Sequence, residues 1–319
     1  MIKFEQQTFV PLENESVLDC LLRHGVEAPY SCRNGICQTC LMRATKGSPT
    51  VSSQKGLKQA QIQQKFFLAC ACVTQEEMEI VLPDSQSNRF ETSVTDKTFL
   101  SDSVLRVRLK RPENFSYFAG QFLTIFKTKN VGRSYSLASV PEVDNYLEFH
   151  IHIIPGGQVS QWLANDISVG DTITISEALG NCIYIGAAKT QPLVLIGTGT
   201  GIAPLLAIVR QAVISGHPEP IKLYHSAKTN SELYLNEELK ALDARHDNVN
   251  YFSCVTREQP ETGERQGRAS DLAIEDISDF KGYAVYLCGN PDMVNSTKRK
   301  MFLAGASLQN IHADPFVYS

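Results

Sequence analysis

The sequence lacks the features that mark secreted, membrane-spanning and nucleic-acid-binding proteins. It has no apolar run of the length, about 18–20 residues, that a membrane helix needs. Its first residues, Met1–Gln6, lack the positive region and apolar core of a secretory signal. Lys and Arg number 30 against 34 Asp and Glu, so there is no excess of positive charge for nucleic acid. We therefore expect a cytoplasmic protein with no membrane span and no nucleic-acid partner.

Internal repeats and low-complexity tracts are also absent, whereas cysteine is plentiful. Six of the nine cysteines lie before residue 73, and Cys182, Cys254 and Cys288 are scattered singly. In a chain without a secretory signal, cysteines indicate metal or redox chemistry before they indicate disulfides. That chemistry is therefore expected in an N-terminal module.

Hydrophobic patterning divides the 319 residues into three segments of domain size. Residues 1–88 combine short strands with an amphipathic helix capped by Ser16, and they end in a polar linker at 84–88. Residues 89–188 alternate as strands between turns, with one short helix at Val159–Leu163. This middle segment is predicted to form a small antiparallel barrel.

Residues 189–319 change to an alternation of strands and helices. Strands are predicted at Leu193–Ile196 and Ile221–Tyr224, and helices at Ala203–Val213 and Glu232–Leu242. Such alternation predicts a parallel, doubly wound α/β sheet.

The cysteine-rich loop has the pattern Cys-x4-Cys-x2-Cys at Cys32, Cys37 and Cys40, and Cys70 is a fourth candidate. This is the plant-type spacing of a [2Fe–2S] cluster, for which thiolates are suitable soft ligands. Gly35 permits the backbone torsions and close amide approach that a tight loop around a cluster requires.

Three alternatives to this assignment remain, of which the first is that the four cysteines are unrelated core residues. Four cysteines can also bind zinc, but zinc sites usually use paired Cys-x2-Cys knuckles, and only Cys37 and Cys40 are so spaced. Cys72 is an alternative to Cys70, because the two side chains would point to the same face of a strand.

The run Arg133-Ser134-Tyr135-Ser136-Leu137 indicates a flavin site. Arg133 offers a cation for a pyrophosphate, Tyr135 a flat surface for the ring, and Ser136 a polar donor near the reacting nitrogen. Gly156 and Gly157 precede the short helix that holds Ser160, and its N-terminal amides form a candidate anion cradle. An ordinary barrel strand with a surface arginine is the alternative for the first motif.

A nicotinamide site is predicted in the last segment, where the strand Leu193–Ile196 runs into a glycine-rich turn and a helix. Glycines let the backbone approach a pyrophosphate, and proline suits the first turn of a helix. The alternative is a purely structural strand-to-helix turn. The residues of the motif are Gly197, Thr198, Gly199, Thr200, Gly201 and Pro204.

The last strand of the segment ends at Cys288 and Gly289, followed by Met293. Its carboxyl end should face the crevice where ligands of open α/β sheets bind, so Cys288 is predicted to touch the nicotinamide. A buried strand cysteine is the alternative. Phe316, near the C-terminus, is predicted to cover the flavin ring, unless it only docks the terminus.

Taken in order, these motifs resemble the ferredoxin–NADH reductase family that forms the electron-transfer component of bacterial multicomponent oxygenases, such as benzoate dioxygenase and toluene, phenol and methane hydroxylases. The resemblance implies a plant-type ferredoxin domain (an α+β, β-grasp fold), an antiparallel β-barrel that binds FAD, and an α/β nucleotide domain. It spans essentially the whole chain.

The resemblance also implies roles for individual residues. It makes Cys32, Cys37, Cys40 and Cys70 the cluster ligands, favouring Cys70 over Cys72. The expected FAD site comprises Arg133, Tyr135, Ser136, Leu137, His152, Gly156, Gly157 and Ser160. The expected nicotinamide dinucleotide site comprises Gly197, Thr198, Gly199, Thr200, Gly201, Pro204, Cys288, Gly289 and Met293. Ser136, Cys288 and Phe316 are expected at the reacting rings.

The chain departs from the family pattern at three places. Gln38 stands where a glycine is common between the second and third cysteines, and His152 stands where Arg or Lys usually precedes the phosphate loop. Ala178-Leu179 replace a Gly-Pro pair before Gly180.

Electron transfer is expected to run from NADH to FAD, then to the cluster, then to an oxygenase component or its ferredoxin. Hydride delivers two electrons, whereas the cluster accepts one at a time, so the flavin must lie between them. A reductase for another partner, such as a deoxysugar dehydratase, and a non-catalytic iron–sulfur carrier are the alternatives. We expect the protein alone to be a monomer.

The choice of coenzyme is open at the residue level. No acidic residue follows the strand Ile221–Tyr224 to bind a ribose 2′-hydroxyl, and Ser226 and Lys228 could instead meet a 2′-phosphate. The family resemblance favours NADH, with NADPH as the alternative.

Overall fold

The computed structural model describes residues 1–35, 38–74, 76–83, 89–129 and 131–316. The chain divides into two units, Met1–Ser87 and Asn88–Ser319. Cys37 and the predicted linker at 84–88 lie outside the described residues.

The first unit is a five-stranded sheet with strand order β2-β1-β5-β3-β4, packed against a helix. Strands β1 and β5 pair in parallel, while the other neighbours are antiparallel. Ser16 caps α1 as predicted, since its hydroxyl accepts from the Asp19 amide at 3.1 Å. The elements are β1 Ile2–Phe4, β2 Gln7–Phe9, α1 Val17–Arg23, β3 Leu41–Lys46, α2 Gln59–Gln63, β4 Phe66–Leu68 and β5 Met78–Val81.

The second unit begins with a six-stranded antiparallel sheet of order β10-β7-β6-β11-β8-β9. An antiparallel bridge between Leu137 and Phe149 joins its two ends, so the sheet closes into the predicted barrel. The elements are β6 Arg89–Ser101, β7 Val104–Lys110, β8 Phe122–Thr128, β9 Val131–Ser136, β10 Tyr146–His152, α3 Gln158–Asn165 and β11 Thr172–Ser176.

The same unit continues into a fully parallel sheet of order β15-β14-β13-β12-β16-β17. The chain steps outward from β12 to β15 and then returns to the other side of β12, which creates a crevice at the carboxyl ends of β12 and β16. The elements are β12 Leu193–Thr198, α4 Ile202–Ile214, β13 Ile221–Ala227, α5 Asn236–Arg245, β14 Val249–Val255, β15 Arg265–Gln266, α6 Ala269–Asp276, β16 Ala284–Gly289, α7 Pro291–Leu303 and β17 Ile311–Pro315.

The predicted fold class is confirmed, but one local prediction is wrong. The helix expected from Glu232 begins at Asn236, because Asn230–Glu232 form a separate 3₁₀ turn. Cys70 lies in a 3₁₀ turn, Ala69–Ala71, rather than in a strand, so its side chain and that of Cys72 do not share a face. Among the helices that the structure describes, none is long and apolar enough to cross a membrane.

Candidate functional site

The cysteine site of the first unit is built by the β3–β4 hairpin. Leu41 pairs with Leu68 across the hairpin, so Cys40 just before β3 and Cys70 just after β4 lie at the same edge. The Ala69 amide donates to the Cys40 carbonyl at 3.0 Å, and the two Sγ atoms are 3.3 Å apart. That separation allows both thiolates to bind one metal ion, since metal–sulfur bonds are about 2.3 Å long.

Burial and the neighbouring Cys40 thiol raise the pKa of Cys70 to about 11. A cation is therefore needed to hold Cys70 as a thiolate. Cys72, by contrast, is fully buried in the core, where its sulfur lies 3.9 Å from the Thr50 hydroxyl. The structure thus brings Cys70, and not Cys72, to Cys40.

The loop that carries Cys32 is wound tightly. Arg33, Gly35 and Gln38 all have positive φ, at 54°, 69° and 59°. The Asn34 amide donates to the Cys32 sulfur at 3.4 Å, the kind of amide bond that tunes an iron–sulfur potential. Among the described residues, which exclude Cys37, no group of three metal-ligating side chains is complete.

The predicted flavin strand is β9, one wall of the barrel. Tyr135 is half-buried against the barrel core, and burial raises its pKa to about 12. Leu137 is fully buried in that core, so its side chain serves packing. Ser136, at the end of β9, donates from its hydroxyl to the Asp314 carboxylate at 3.2 Å.

Asp314 was missed by the sequence prediction, although it is two residues before Phe316. It lies on β17 directly beside Cys288 of β16, which are register partners. Burial raises its pKa to about 6, against an opposing effect of the Ser136 hydrogen bond. No spacing rule picks out one aspartate in a C-terminal strand; only the parallel pairing of β16 and β17 reveals it.

Cys288 and Phe316 both lie at the carboxyl end of β16. Cys288 is fully buried, and burial and the adjacent Cys182 thiol, whose sulfur is 3.6 Å away, raise its pKa well above the ordinary value. Cys288 is therefore a neutral thiol. The Phe316 amide donates to the Gly289 carbonyl at 2.8 Å, which fixes the half-buried Phe316 at the end of β16.

The predicted phosphate loop of the barrel precedes α3. Gly156 has a φ of +76° with open space where a Cβ would be, so its backbone is accessible to a ligand. Ser160 is buried, and its hydroxyl accepts from the Ile154 amide at 3.3 Å. A Cβ on Gly157 would lie 2.5 Å from that hydroxyl, so Gly157 is required by local packing. His152 is exposed at the end of β10.

The glycine turn after β12 has one packed side and one open side. A Cβ on Gly201 would lie 2.3 Å from the Cys288 carbonyl oxygen, and one on Gly289 would lie 2.6 Å from Thr198 Oγ1. These two glycines allow the turn to pack on the end of β16. Gly199 has a φ of +53° and faces open space, which leaves its backbone free for a phosphate.

The remaining residues of the predicted dinucleotide site surround this turn. Gly197 packs on Leu205, and Pro204 is buried in the first turn of α4. Met293 is half-buried in α7, and its amide donates at 3.3 Å to the capping side chain of Asn290. Thr200 is half-buried beside Gly199.

His225 is a second residue that the sequence prediction missed. It is fully buried in β13, and burial lowers its pKa to about 4, so the ring is neutral. Its Nε2 donates to the Gly199 carbonyl at 3.2 Å and so supports the open side of the glycine turn. A lone histidine in an apolar strand gives no signal of this contact.

The two predicted coenzyme-selecting residues differ in exposure. Ser226 is buried in β13, whereas Lys228 is exposed directly after it. The Arg257 amide donates to the Lys228 carbonyl at 3.0 Å, which places a second exposed cation next to Lys228. Arg257 was not predicted from the sequence.

Three family models match successive parts of the chain. They are a 2Fe-2S iron–sulfur cluster binding domain over residues 2–75, an oxidoreductase FAD-binding domain over 91–184 and an oxidoreductase NAD-binding domain over 195–299. All three cofactors expected from the sequence are thereby confirmed.

Similar proteins cover nearly the whole chain. The ferredoxin–NAD(P)+ reductase component of the naphthalene 1,2-dioxygenase/salicylate 5-hydroxylase systems of a Ralstonia species is 33% identical over 94% of this chain and 93% of its own. The corresponding component of the naphthalene 1,2-dioxygenase system of Pseudomonas putida is 31% identical over 94% and 93%. The crystal structure of an Amycolatopsis cytochrome P450 reductase is 25% identical, with a TM-score of 0.69 over 99% of this chain and 98% of that one.

Proposed function

Since the chain belongs to the family of ferredoxin–NAD(P)+ reductase components, with an iron–sulfur, an FAD-binding and an NAD-binding domain, we propose that it passes electrons from NADH through FAD and a [2Fe–2S] cluster to an oxygenase component or its ferredoxin. The contact between Ser136 and Asp314 carries this proposal, because it joins the flavin strand to the crevice that holds Cys288. The proposed domains are residues 1–88, 89–188 and 189–319. We place the protein in the cytoplasm, as a monomer when alone.

FAD, when bound, would supply the chemistry that links a two-electron nicotinamide to a one-electron cluster. The residues of the chain bind and orient the two rings. The direction of the Ser136 hydroxyl is fixed by Asp314, and the Cys288 thiol, buried on the neighbouring strand, is neutral. His225 is uncharged, and its Nε2 donates to the Gly199 carbonyl, which holds this part of the glycine turn in place.

The donor set of the first unit fits an iron–sulfur cluster. Cys40 and Cys70 are already paired, and the Cys32 sulfur already accepts an amide hydrogen bond. Cys32, Cys37, Cys40 and Cys70 are the proposed ligands, of which Cys37 lies outside the described residues.

NADH is the proposed coenzyme, following the family resemblance. Lys228 and Arg257 are exposed cations at the carboxyl ends of β13 and β14, where a 2′-phosphate would be bound in an NADPH enzyme. Initial rates with NADH and NADPH at equal concentrations test the choice, and a higher kcat/KM with NADPH would contradict it.

The main test is anaerobic mixing of the holoenzyme with NADH, followed by absorption. We expect the flavin band to bleach first and the cluster band next. Ser136→Ala should slow flavin bleaching roughly 10- to 100-fold, because the hydroxyl near the reacting nitrogen is lost. Ser134→Ala, an exposed hydroxyl on the same strand, is the matched control and should leave the rate unchanged. Absence of bleaching by either coenzyme would contradict the proposed function.

A further inference from the structure

The segment that carries the proposed cluster ligands has charges of one sign only. Residues Ala28–Gln75 contain no aspartate or glutamate, although the whole chain has 34. The same 48 residues contain six cationic side chains, Arg33, Arg43, Lys46, Lys55, Lys58 and Lys65. All acidic residues of the protein therefore lie elsewhere, and the cluster is embedded in a basic stretch.

Three of these cations, Lys55, Lys58 and Lys65, have no carboxylate partner among the described residues, and Lys65 Nζ instead donates to the Gly47 carbonyl at 3.0 Å. Arg33 is paired with Asp19, and Lys46 lies 3.7 Å from Glu77. Lys55 and Lys58 are exposed and form no ion pair with any residue in the described part of the chain. Their charges are available to an external partner.

Gln38 links the cysteine loop to the segment that carries these two lysines through a hydrogen bond. Its backbone has a φ of +59°, a left-handed conformation that non-glycine residues seldom adopt. Its side-chain amide donates to the Gly56 carbonyl at 3.3 Å, between the two lysines. A glycine at this position would keep the backbone conformation but lose the attachment, so the departure from the family pattern has a structural consequence.

An apolar side chain lies on the same segment. Val51 is 88% exposed, at the start of a 3₁₀ turn that begins after Thr50. Thr50 contacts Cys72, which is two residues beyond Cys70, so this turn also lies close to the cysteine site. Val51 adds an apolar contact to the charges of Lys55 and Lys58, and charge complementarity is what orients two protein partners.

We propose that Val51, Lys55 and Lys58 form a docking face, here called the basic face, for an electron-accepting protein with an acidic surface around its own redox centre. The inference rests on the proposed function, because it names the partner chemistry of the cluster. Opposite charges steer encounter and orient the partners, which raises the association rate at low salt.

The observations favour a protein over a membrane or nucleic acid. Stable attachment to anionic lipid takes about four to eight clustered cations, and nucleic-acid binders commonly neutralise 6–10 phosphates. Three lysines without a carboxylate partner fall short of both numbers, whereas Lys55 and Lys58 are enough to orient a protein partner beside the cluster.

The test uses the holoenzyme reduced with dithionite, so that it does not depend on NADH. Stopped-flow mixing with rubredoxin, a small acidic protein, and with cytochrome c, a basic one, gives second-order rate constants over a range of ionic strength. Rubredoxin reduction should slow with added salt, and K55E/K58E should slow it roughly tenfold at low salt. The same variant should speed cytochrome c reduction.

The matched control is K110E/K281E, which changes the net charge equally at two exposed lysines of the second unit. It should alter either rate less than twofold. Equal effects of the two variants, or rubredoxin reduction that is absent or accelerated by salt, would overturn the proposal. The proposal would also be overturned if the parent protein bound phosphatidylserine vesicles and K55E/K58E abolished that binding. Bleaching by NADH, measured on the same samples, reports separately on the proposed function.

Discussion

At the scale of single residues, Asp314 is a carboxyl group whose burial favours its protonated form. Its pKa is about 6, above its ordinary value of 3.8. Between these two values the unfolded chain has lost the proton while the folded protein keeps it. The contribution of Asp314 to folding stability should therefore fall as the pH rises from about 4 to about 6, by up to about 3 kcal/mol, and level off above that, while the lowered pKa of His225 acts in the opposite direction over the same range.

Asp314→Asn should remove this contribution to the pH dependence and raise the free energy of unfolding at pH 8. The single tryptophan, Trp162, lies in α3 of the second unit and reports its unfolding in urea. Asp247→Asn, at an exposed position, is the control and should retain the slope of the parent. A slope unchanged in Asp314→Asn would contradict the assignment.

Residues such as Asp314 and His225 mark the limit of what the sequence could predict. The cysteine loop, Arg133 and the glycine turn could be predicted because they belong to recurring motifs, in which residues close in sequence are also close in the structure. Asp314 acts through Ser136, 178 positions away, and His225 acts through Gly199, 26 positions away. Such contacts depend on strand pairing across the fold, which local patterning does not specify.

At the scale of elements, the 3₁₀ turn Ala69–Ala71 places Cys70, and not Cys72, beside Cys40. Cys70→Ala should abolish the visible absorption of the cluster, because one of its four proposed ligands is lost. Cys72→Ala should keep that absorption and lower the stability of the first unit by about 1 kcal/mol, since it removes a buried core side chain. Iron content and visible circular dichroism measure the first effect. Loss of the cluster in Cys72→Ala alone would reverse the assignment.

The glycine turn after β12 provides a second matched pair. Gly201→Ala should cost about 3 kcal/mol or more in stability, because the new Cβ would meet the Cys288 carbonyl and the backbone must move. Gly199→Ala should cost only about 1 kcal/mol, from its left-handed conformation.

Urea unfolding followed at Trp162 measures both variants of the turn. Gly199→Ala should instead weaken coenzyme binding, which KM for NADH reports. Equal stability losses in the two variants would show that the packed and open sides are not distinct.

Helices and strands with a strong hydrophobic periodicity could be predicted from the sequence, but the residues at which they begin and end were predicted less accurately. The helix after the glycine turn is one residue longer at each end than predicted, since a buried apolar stripe defines it. The start of α5 was misplaced because Glu232 belongs to a 3₁₀ turn, and its carboxylate accepts from the Lys228 amide at 2.9 Å. An acidic residue before an apolar run looks the same in either arrangement.

At the scale of the whole molecule, each hydrophobic core belongs to one unit. The core of the first unit contains residues only from Ile2 to Leu82, and the cores of the second unit begin with Phe90. A chain starting at Arg89 should therefore fold alone, bind FAD and show no cluster absorption. Its Trp162 unfolding midpoint should match that of the full chain. Aggregation of this fragment, or a midpoint lowered by several degrees, would contradict the independence of the two cores.

The parallel pairing of β1 with β5 has an evolutionary consequence. The first and last strands of the unit are hydrogen-bonded neighbours, with Ile2 opposite Met78 and Phe4 opposite Ile80. The polypeptide enters and leaves through adjacent strands, so a gene segment encoding the unit can be transplanted to either end of another coding sequence without unravelling the sheet. Recombination can thus exchange the iron–sulfur unit as a whole, while the flavin-binding part of the protein is inherited unchanged.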